Sequence, residues 1–328
     1  MNAQAAEFVR PRIVISKCLG FEACRWDGQC IDDPFVKLLA PHVECVTVCP
    51  ECAIGLGVPR RPVRIVRGEG TSGRLVQPAT GRDMTPEMKR FCSEFFGSLG
   101  PVDGFLLKFK SPSCGLSHVN VYHSADDGNT DWHGAGMFAE AVKERYPDHP
   151  SEDEGRLRNF VIRENWLTGI HVLAKFRMVK ADGTMGGLVQ FHSDHKYLFM
   201  AQSQGGLRAL GRLVANHGKL PAPEVFQGYE LILRGMWKKV PRETSRINVL
   251  LHIFGHFSDR LTPAEREHFL DVLEDYRRGG MPLSVPVTIL KSWALRFEEG
   301  YIQRQRFLAP FPEELGIITD SGLGRTLR

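Results

Sequence analysis

Three short apolar runs in the N-terminal third of the chain constrain its fold more than any other feature. Each has the length and composition of a buried strand, and the runs cover residues 13–16, 43–48 and 104–109. Helical patterns lie between them, and strands that alternate with helices pair in parallel. The sequence therefore predicts an α/β N-terminal domain with a Rossmann-like parallel sheet.

A hairpin and a helix are expected between the second and third runs. Residues 63–66 and 75–77 form the two arms of the predicted hairpin, and the glycine-rich residues 68–73 join them. The helix that follows has a clear start, because Thr85 is a suitable N-cap and Pro86 suits the first helical position.

The end of this domain is predicted from three further segments. Residues 137–146 have a helical pattern, the acidic residues 151–154 resemble the solvated start of a helix, and the glycine-rich residues 183–187 resemble a hinge. We therefore expect a first domain over residues 1–165 and a second over residues 166–328.

The second domain is predicted to be all-α. Thr262 and Glu265 form a capping box, with Pro263 at the first helical position, and this box marks one helix start clearly. The helical patterns cover residues 207–216, 223–240, 242–257, 262–279 and 284–307.

Length and composition fit two ordinary globular domains. The chain has 328 residues, of which 42% are hydrophobic and 24% charged. No apolar stretch reaches the roughly 18–20 residues of a membrane span, and residues 1–10 lack the apolar core of a signal peptide. We therefore expect a cytoplasmic protein, in which the eight cysteines stay reduced and serve metal binding, catalysis or packing.

Three of these cysteines follow the three predicted strands. Cys18, Cys49 and Cys114 each come shortly after a strand and beside a glycine or proline turn. Ligands of open parallel sheets bind outside the carboxyl ends of the strands, so the three thiols are expected at one edge. Three thiolates and one open corner describe a [4Fe–4S] cluster with a reactive iron.

Other interpretations of the cysteines stay open at this point. A single cysteine is usually a small buried apolar residue. Cys45, Cys49 and Cys52 are close enough in sequence for a zinc site, and Cys49 and Cys52 form a CxxC pair that suits a thioredoxin-like or redox-sensing role.

Three ordered blocks of the sequence resemble the thiouracil desulfidase (TudS) family. They read IVISKCLG followed by RWDG, then VCPE followed by GLGVPRRP, and then KSPSCG, and the likeness covers roughly residues 11–165. Residues 192–310 resemble a YbgA-type helical domain. The two halves in one chain resemble the fused tRNA 4-thiouridine desulfidases.

The resemblance implies both the cofactor and the chemistry. Cys18, Cys49 and Cys114 would each bind one iron of a [4Fe–4S] cluster, and the fourth iron would bind the sulfur of a thiolated nucleobase. Water would then attack the ring carbon and hydrosulfide would leave, so that 4-thiouridine in tRNA becomes uridine without a redox step.

The resemblance also implies catalytic side chains. Glu51 is two residues from Cys49, and we expect it to activate water or to protonate the leaving sulfur. Ser111 and Ser113 flank Cys114, and one of them, with Ser111 favoured, would hydrogen-bond the base or relay a proton, unless it only caps the turn. Arg60 and Arg61 are weaker candidates for holding a phosphate.

The helical half carries the predicted RNA contacts. From Gly186 onward there are 19 Lys and Arg against 15 Asp and Glu, which accounts for the whole net charge of +4. Cations neutralise phosphates and an aromatic ring can stack on a base, so tRNA is the expected partner, although a core position for the aromatic residue stays possible. The predicted RNA-binding residues are Arg234, Trp237, Lys238, Lys239, Arg242 and Arg246.

Histidine pairs and rival functions complete these expectations. His192 with His195, and His252 with His256, are expected to pack or to face RNA rather than to bind a metal. The rival functions are a desulfidase of free thiouracil or thionucleosides, a non-catalytic metal-containing RNA-binding protein, and a redox sensor. No protein partner follows from the sequence.

Overall fold

The computed structural model describes residues 8–68, 73–126 and 128–316, and the chain divides into two compact units. The N-terminal unit extends to Ala174 and also includes residues 314–316, and the C-terminal unit is Lys175–Glu313. The predicted boundary follows residue 165, nine residues before Ala174. It falls inside a long helix, Phe160–Asp182, which continues across the boundary.

The strands all belong to the N-terminal unit in the described part of the chain. They form two sheets, with the strand orders β2-β1-β6-β9 and β5-β4-β3-β7-β8. The strands are β1 (Arg12–Ser16), β2 (Glu44–Val48), β3 (Arg64–Arg67), β4 (Gly73–Gln77), β5 (Arg82–Asp83), β6 (Gly104–Leu107), β7 (Val119–Tyr122), β8 (Thr130–Gly134) and β9 (Ser151–Asp153).

The first sheet is parallel throughout, as the sequence predicts. Strand β1 pairs in parallel with β2 and with β6, and β6 pairs in parallel with β9. Ile13 in β1 and Phe105 in β6 are fully buried, because central strands of a parallel sheet are covered on both faces. The predicted parallel α/β domain is confirmed.

The second sheet contains the predicted hairpin. Strands β3 and β4 pair antiparallel, and part of the glycine-rich connection between them, residues 69–72, lies outside the described residues. Strands β5, β7 and β8 extend this sheet and have no clear signal in the sequence.

The prediction of a solvated helix start at residues 151–154 is wrong. Residues 151–153 form β9, and the side chains of Asp153 and Glu154 are buried. One oxygen of Glu154 accepts a hydrogen bond from the N–H of Phe109 at 2.7 Å, and the carboxylate also forms an ion pair with Lys108. These partners, distant in sequence, allow charged residues to occupy a buried strand end.

Two helices of the N-terminal unit, α3 and α4, match predicted ones except at one cap. They are α1 (Pro34–Leu39), α2 (Pro50–Ala53), α3 (Thr85–Ser98), α4 (Met137–Arg145) and the start of α5 (Phe160–Asp182). Thr85 is not the N-cap of α3, because its hydroxyl accepts a hydrogen bond from the N–H of Leu75 at 2.9 Å. Asp83 Oδ1 accepts the N–H of Thr85 instead, also at 2.9 Å.

The C-terminal unit is helical throughout its described residues, as predicted. Its helices after α5 are α6 (Met185–Asp194), α7 (Lys196–Gln202), α8 (Gln204–Ala215), α9 (Ala222–Gly235), α10 (Glu243–Gly255), α11 (Pro263–Arg277), α12 (Ser284–Arg296) and α13 (Gly300–Gln303). The capping box of Thr262 and Glu265 is confirmed at the start of α11. The predicted helix over residues 284–307 is broken after Arg296, where Glu298 adopts a left-handed backbone with φ of 52°.

Of the four histidines considered in this unit, His195 is buried, His192 is half-buried, and His252 and His256 are exposed. His195 is buried, its Nδ1 lies 2.7 Å from the carbonyl oxygen of Phe191, and burial lowers its pKa to about 3. His256 Nε2 lies 2.8 Å from the hydroxyl of Tyr197.

Within the described residues, no helix combines the length and apolar character needed to cross a membrane.

Candidate active site

One cavity of about 370 Å³ lies beyond the carboxyl ends of β1, β2 and β6. Cys18, Cys49 and Cys114 all line it. The parallel register explains this convergence, since Ser16 at the end of β1 pairs with Val48 at the end of β2, one residue before Cys49. The prediction that the three thiols meet at one edge of the sheet is confirmed.

Each cysteine is held by a tight turn. The carbonyl of Cys18 accepts the N–H of Ile31 at 2.8 Å, and Cys49 is the N-cap of α2. The hydroxyl oxygen of Ser111 accepts hydrogen bonds from the N–H groups of Ser113 and Cys114, at 3.2 and 3.1 Å. Gly115 is required by space, because a Cβ there would lie 2.8 Å from the carbonyl oxygen of Ser111 and 2.4 Å from Val119.

Of the three cysteines, Cys114 is buried, and Cys18 and Cys49 are half-buried. Burial, and then the negative charge of Cys49, raises the pKa of Cys18 to about 12. Burial raises the pKa of Cys114 well above the ordinary value of a thiol. Thiolates are soft ligands that suit iron–sulfur clusters, and this part of the cavity wall presents thiols rather than imidazoles. The donor set therefore fits a cluster held by three cysteines.

Two further cysteines lie beside the three. Cys24 lines the cavity and is buried, and its carbonyl oxygen lies 3.7 Å from the sulfurs of both Cys49 and Cys52. Over the part of the chain that the structure describes, no group of three His, Cys, Asp or Glu side chains is placed to hold a single metal ion.

Glu51 is a buried carboxylate that accepts three hydrogen bonds. Its Oε2 accepts hydrogen bonds from Arg60 Nε at 2.9 Å and Arg60 Nη2 at 2.7 Å. Its Oε1 accepts the hydroxyl of Ser113 at 3.0 Å. The guanidinium of Arg60 also donates to the carbonyl of Cys24 at 2.9 Å, so the expectation that Arg60 holds a phosphate is wrong.

The two serines beside Cys114 have different positions. Ser113 is fully buried, and its hydroxyl donates to Glu51. Ser111 lines the cavity, and its oxygen accepts two N–H groups, which leaves its proton available to a ligand. Of the two, Ser111 is therefore the one placed to contact a ligand.

Ser16 is a site residue that the sequence prediction missed. It is buried, lines the cavity, accepts the N–H of Lys108 at 2.9 Å and hydrogen-bonds the thiol of Cys114. Its position as the polar residue that ends β1, directly after the apolar residues 13–15, is the signal that identifies it.

The predicted RNA-binding residues divide into exposed and buried ones. Lys238, Lys239 and Arg242 are exposed. Trp237 and Arg246 are only 4% and 8% exposed, so the prediction that these two contact RNA is wrong. Both side chains face the protein interior, as expected for an indole ring and for the aliphatic part of an arginine side chain.

Arg234 occupies an intermediate position. It is half-buried and forms an ion pair with Glu230, one helical turn earlier in α9. Its charge is thus paired within the helix, and it is less exposed than Lys238 and Lys239, which follow it.

The fold and the site define a class of protein. A group of thiols that lines one cavity at the carboxyl edge of a parallel sheet, with a carboxylate beside it, is the arrangement of a protein that binds a cofactor or small ligand there. Residues 13–154 match the family model of the 2-thiouracil desulfurases, and residues 196–312 match a second family, the proteins of unknown function DUF1722. The N-terminal part of the chain is thus similar to the 2-thiouracil desulfurases and the C-terminal part to the DUF1722 proteins.

Individual relatives match each half separately. The uncharacterized protein YbgA of Escherichia coli K12 is 26% identical over 156 residues, which are 47% of this chain and 92% of YbgA. The uncharacterized protein YbbK of Bacillus subtilis 168 is 27% identical over 138 residues, 40% of this chain and 89% of YbbK. A solved structure of the [4Fe-4S]-dependent thiouracil desulfidase TudS is 29% identical, covers 45% of this chain and 93% of its own, and has a TM-score of 0.37.

Proposed function

We propose that the N-terminal unit is a desulfidase that holds a [4Fe–4S] cluster on Cys18, Cys49 and Cys114 and removes sulfur from a thiolated nucleobase. The observation that carries this proposal is the convergence of the three thiols with Glu51 in one cavity. When bound, a cluster with three protein ligands supplies an open iron that acts as a Lewis acid toward the thiocarbonyl sulfur.

Glu51 accepts the proton of the attacking water in this scheme. Three hydrogen-bond donors, two from Arg60 and one from Ser113, already point at its oxygens. This is the pattern of an ionised carboxylate, which only accepts, and it favours a base over an acid that must donate its own proton.

The reaction balances without an electron donor. Water supplies the oxygen that replaces sulfur on the ring carbon, the carbon–sulfur bond breaks, and the products are the oxo base, hydrosulfide and one proton. The hydroxyl of Ser111 donates a hydrogen bond to the base and so fixes the orientation of the base in the cavity.

The physiological substrate in this proposal is 4-thiouridine in cytoplasmic tRNA, which becomes uridine. Support comes from the exposed cations Lys238, Lys239 and Arg242 in the helical unit and from the charge excess of that half. Free thiouracil or a thionucleoside is the alternative substrate, and the chemistry at the cavity is the same for it.

A comparison of substrates tests this proposal. Anaerobically reconstituted protein is incubated with thiolated tRNA, with 4-thiouridine and with free 4-thiouracil, and loss of the thiocarbonyl absorption is followed with sulfide release. We expect sulfur loss from all three, with the highest kcat/KM for tRNA. Conversion of the free base with tRNA left unchanged would overturn the tRNA assignment, and no conversion of any substrate would overturn the desulfidase itself.

Charge reversal in the helical unit tests the RNA surface. The double substitution Lys238→Glu with Lys239→Glu should weaken tRNA binding about tenfold or more at fixed salt, because two cations that neutralise phosphates are lost. The slope of log K against log salt concentration should also fall by about 0.9 for each lost phosphate contact. Arg277→Glu with Arg278→Glu is the matched control, since it reverses two adjacent exposed cations at another helix end. Equal tRNA affinities of the two double variants would contradict the assignment.

A further inference from the structure

We propose that Cys52 is a resolving thiol, which forms a reversible disulfide with Cys49 when the cluster-free protein meets a peroxide and so protects Cys49 from irreversible oxidation. The pair is a modification site of the N-terminal unit, and its chemistry is separate from sulfur removal. Formation of the bond does not depend on the proposed function. Its benefit rests on that function, because it requires Cys49 to be a ligand of the cluster.

The turn that begins α2 brings the two residues together. Cys49 is the N-cap of this helix, Pro50 is its first residue and Cys52 is its third. The N–H of Ala53 donates to the carbonyl oxygen of Cys49 at 3.0 Å and closes the turn. Side chains of an N-cap residue and of the third helical residue meet in the same way in a capping box.

The spacing of this turn suits a disulfide. In ideal helix geometry the Cα atoms of residues three apart are separated by about 5 Å. A disulfide spans Cα separations of roughly 4.4–6.8 Å, so residues 49 and 52 can be joined without movement of the backbone.

Side-chain contacts place the two sulfurs next to each other. The thiol of Cys52 is within hydrogen-bond reach of the thiol of Cys49. Both sulfurs also lie 3.7 Å from one acceptor, the carbonyl oxygen of Cys24. Two thiols that share an acceptor and contact each other are arranged to form a bond between them.

Cys24 is the competing partner of Cys49. Its thiol also hydrogen-bonds that of Cys49, but Cys24 is only 1% exposed. Cys49 and Cys52 are both half-buried. Since oxidation of a thiol requires access for the oxidant, the structure favours the pair on the turn over the pair that includes Cys24.

The reaction with hydrogen peroxide balances in two steps. The peroxide oxidises one thiol of the pair to a sulfenic acid and is itself reduced to water. The other thiol then attacks that sulfur, a second water leaves and the sulfur–sulfur bond forms. A dithiol such as dithiothreitol restores both thiols by exchange and becomes a disulfide itself.

The second thiol decides whether this oxidation can be reversed. A sulfenic acid that is not captured by a thiol is open to further oxidation to sulfinic and sulfonic acids, which dithiols do not reduce. Cys52 is not among the residues that line the cavity, and the proposed removal of sulfur does not use it. Capture of an oxidised Cys49 gives this residue a role that the desulfidase chemistry does not.

Peptide mass mapping of the wild-type protein tests the bond directly. Cluster-free protein is treated with equimolar hydrogen peroxide, alkylated and digested with trypsin. Cys45, Cys49 and Cys52 lie in one tryptic peptide, residues 38–60, whereas Cys24 lies in another, residues 18–25. We expect the first peptide to lose two hydrogens and to carry one alkylated cysteine, which fragmentation identifies as Cys45. A bond between the two peptides, a bond to Cys45, or alkylation of all three cysteines would overturn the proposal.

The Cys52→Ser variant tests the protection. After a small molar excess of peroxide and then dithiothreitol, it should carry about fivefold more sulfinic and sulfonic acid at Cys49 than the wild type. On anaerobic reconstitution it should correspondingly regain less iron than the wild type. Before peroxide its iron content and thermal unfolding should match the wild type, because serine is close to cysteine in size. Equal irreversible oxidation of Cys49 in the two proteins would overturn the protective role.

Cys45 supplies the matched control. It is a half-buried cysteine in β2, on the same tryptic peptide, and is not among the residues that line the cavity. Cys45→Ser should form the disulfide and regain iron as the wild type does. Failure of every protein to load iron before peroxide would overturn the proposed function, whereas the mass mapping would still decide whether the disulfide forms.

Discussion

Replacement of Cys114 by alanine is expected to lower the iron content from about four per chain in the reconstituted wild type to nearly none, and to abolish sulfur release. Cys114 is 5% exposed, lies between Ser113 and Gly115 in a turn that fixes its direction, and hydrogen-bonds Ser16. Its loss leaves two thiols where the proposed cluster needs three. Iron content, absorption near 400 nm and sulfide release are measured on the same anaerobic samples.

Cys92 offers a matched control for this substitution. It is also a buried cysteine, 5% exposed, in α3 of the same unit, and it packs in the same apolar core without lining the cavity. Cys92→Ala removes the same atom and leaves a similar small void, so it should cost similar stability but retain iron and turnover. Equal iron content in the two variants would show that Cys114 is not a ligand.

Replacement of Glu51 by glutamine is expected to lower kcat by about 10²–10⁴, the range for loss of a general base, while the iron content stays that of the wild type. The change keeps the size of the side chain and removes its capacity to take a proton from water. Cluster content is measured first, because Glu51 lies two residues from Cys49. Full turnover by Glu51→Gln with an intact cluster would remove Glu51 from the chemistry.

Stability needs its own control in this variant. Arg60 is nearly buried, with a side chain 6% exposed, and loss of its partner leaves an unpaired charge that costs about 3–5 kcal/mol in such pairs. The double variant Glu51→Gln with Arg60→Met removes that charge as well and should recover part of the stability. A structural role would let turnover recover with it, whereas a catalytic role keeps the double variant as slow as the single one.

The position of the thiols could be predicted from the sequence because it depends on local signals. Three apolar strands are visible as runs, parallel pairing follows from the helices between them, and parallel strands end at one edge. The residues that follow each strand, Cys18, Cys49 and Cys114, must then lie near one another. Most of the helical half was predictable for a similar reason, since capping residues such as Thr262 mark helix starts directly.

The remainder of the site depends on contacts between residues far apart in sequence. The hydroxyl of Ser113 reaches Glu51 across 62 positions, and Lys108 reaches Glu154 across 46. Neither contact has a signature in spacing, so the sequence left open which serine faces the cavity. Residues 151–154 were also predicted to lie in solvent, although residues 151–153 pair with β6 in the structure.

The sequence also did not show which side chains of the helical half are buried. A basic segment with a tryptophan has the composition of an RNA surface, and the same composition fits a helix end whose ring packs inward. The 4% exposure of Trp237 decides between the two for that residue, and the exposed Lys238 and Lys239 beside it remain the proposed phosphate contacts.

The central claim is that sulfur removal depends on a cluster held by the three cysteines. The most direct test measures sulfide released from 4-thiouridine by one protein preparation before and after anaerobic reconstitution with iron and sulfide. We predict no release by the cluster-free protein and, after reconstitution to about four iron per chain, one sulfide for each thiocarbonyl lost. Equal release by the cluster-free protein, or a fully loaded cluster with no release from any thiolated substrate, would contradict the claim.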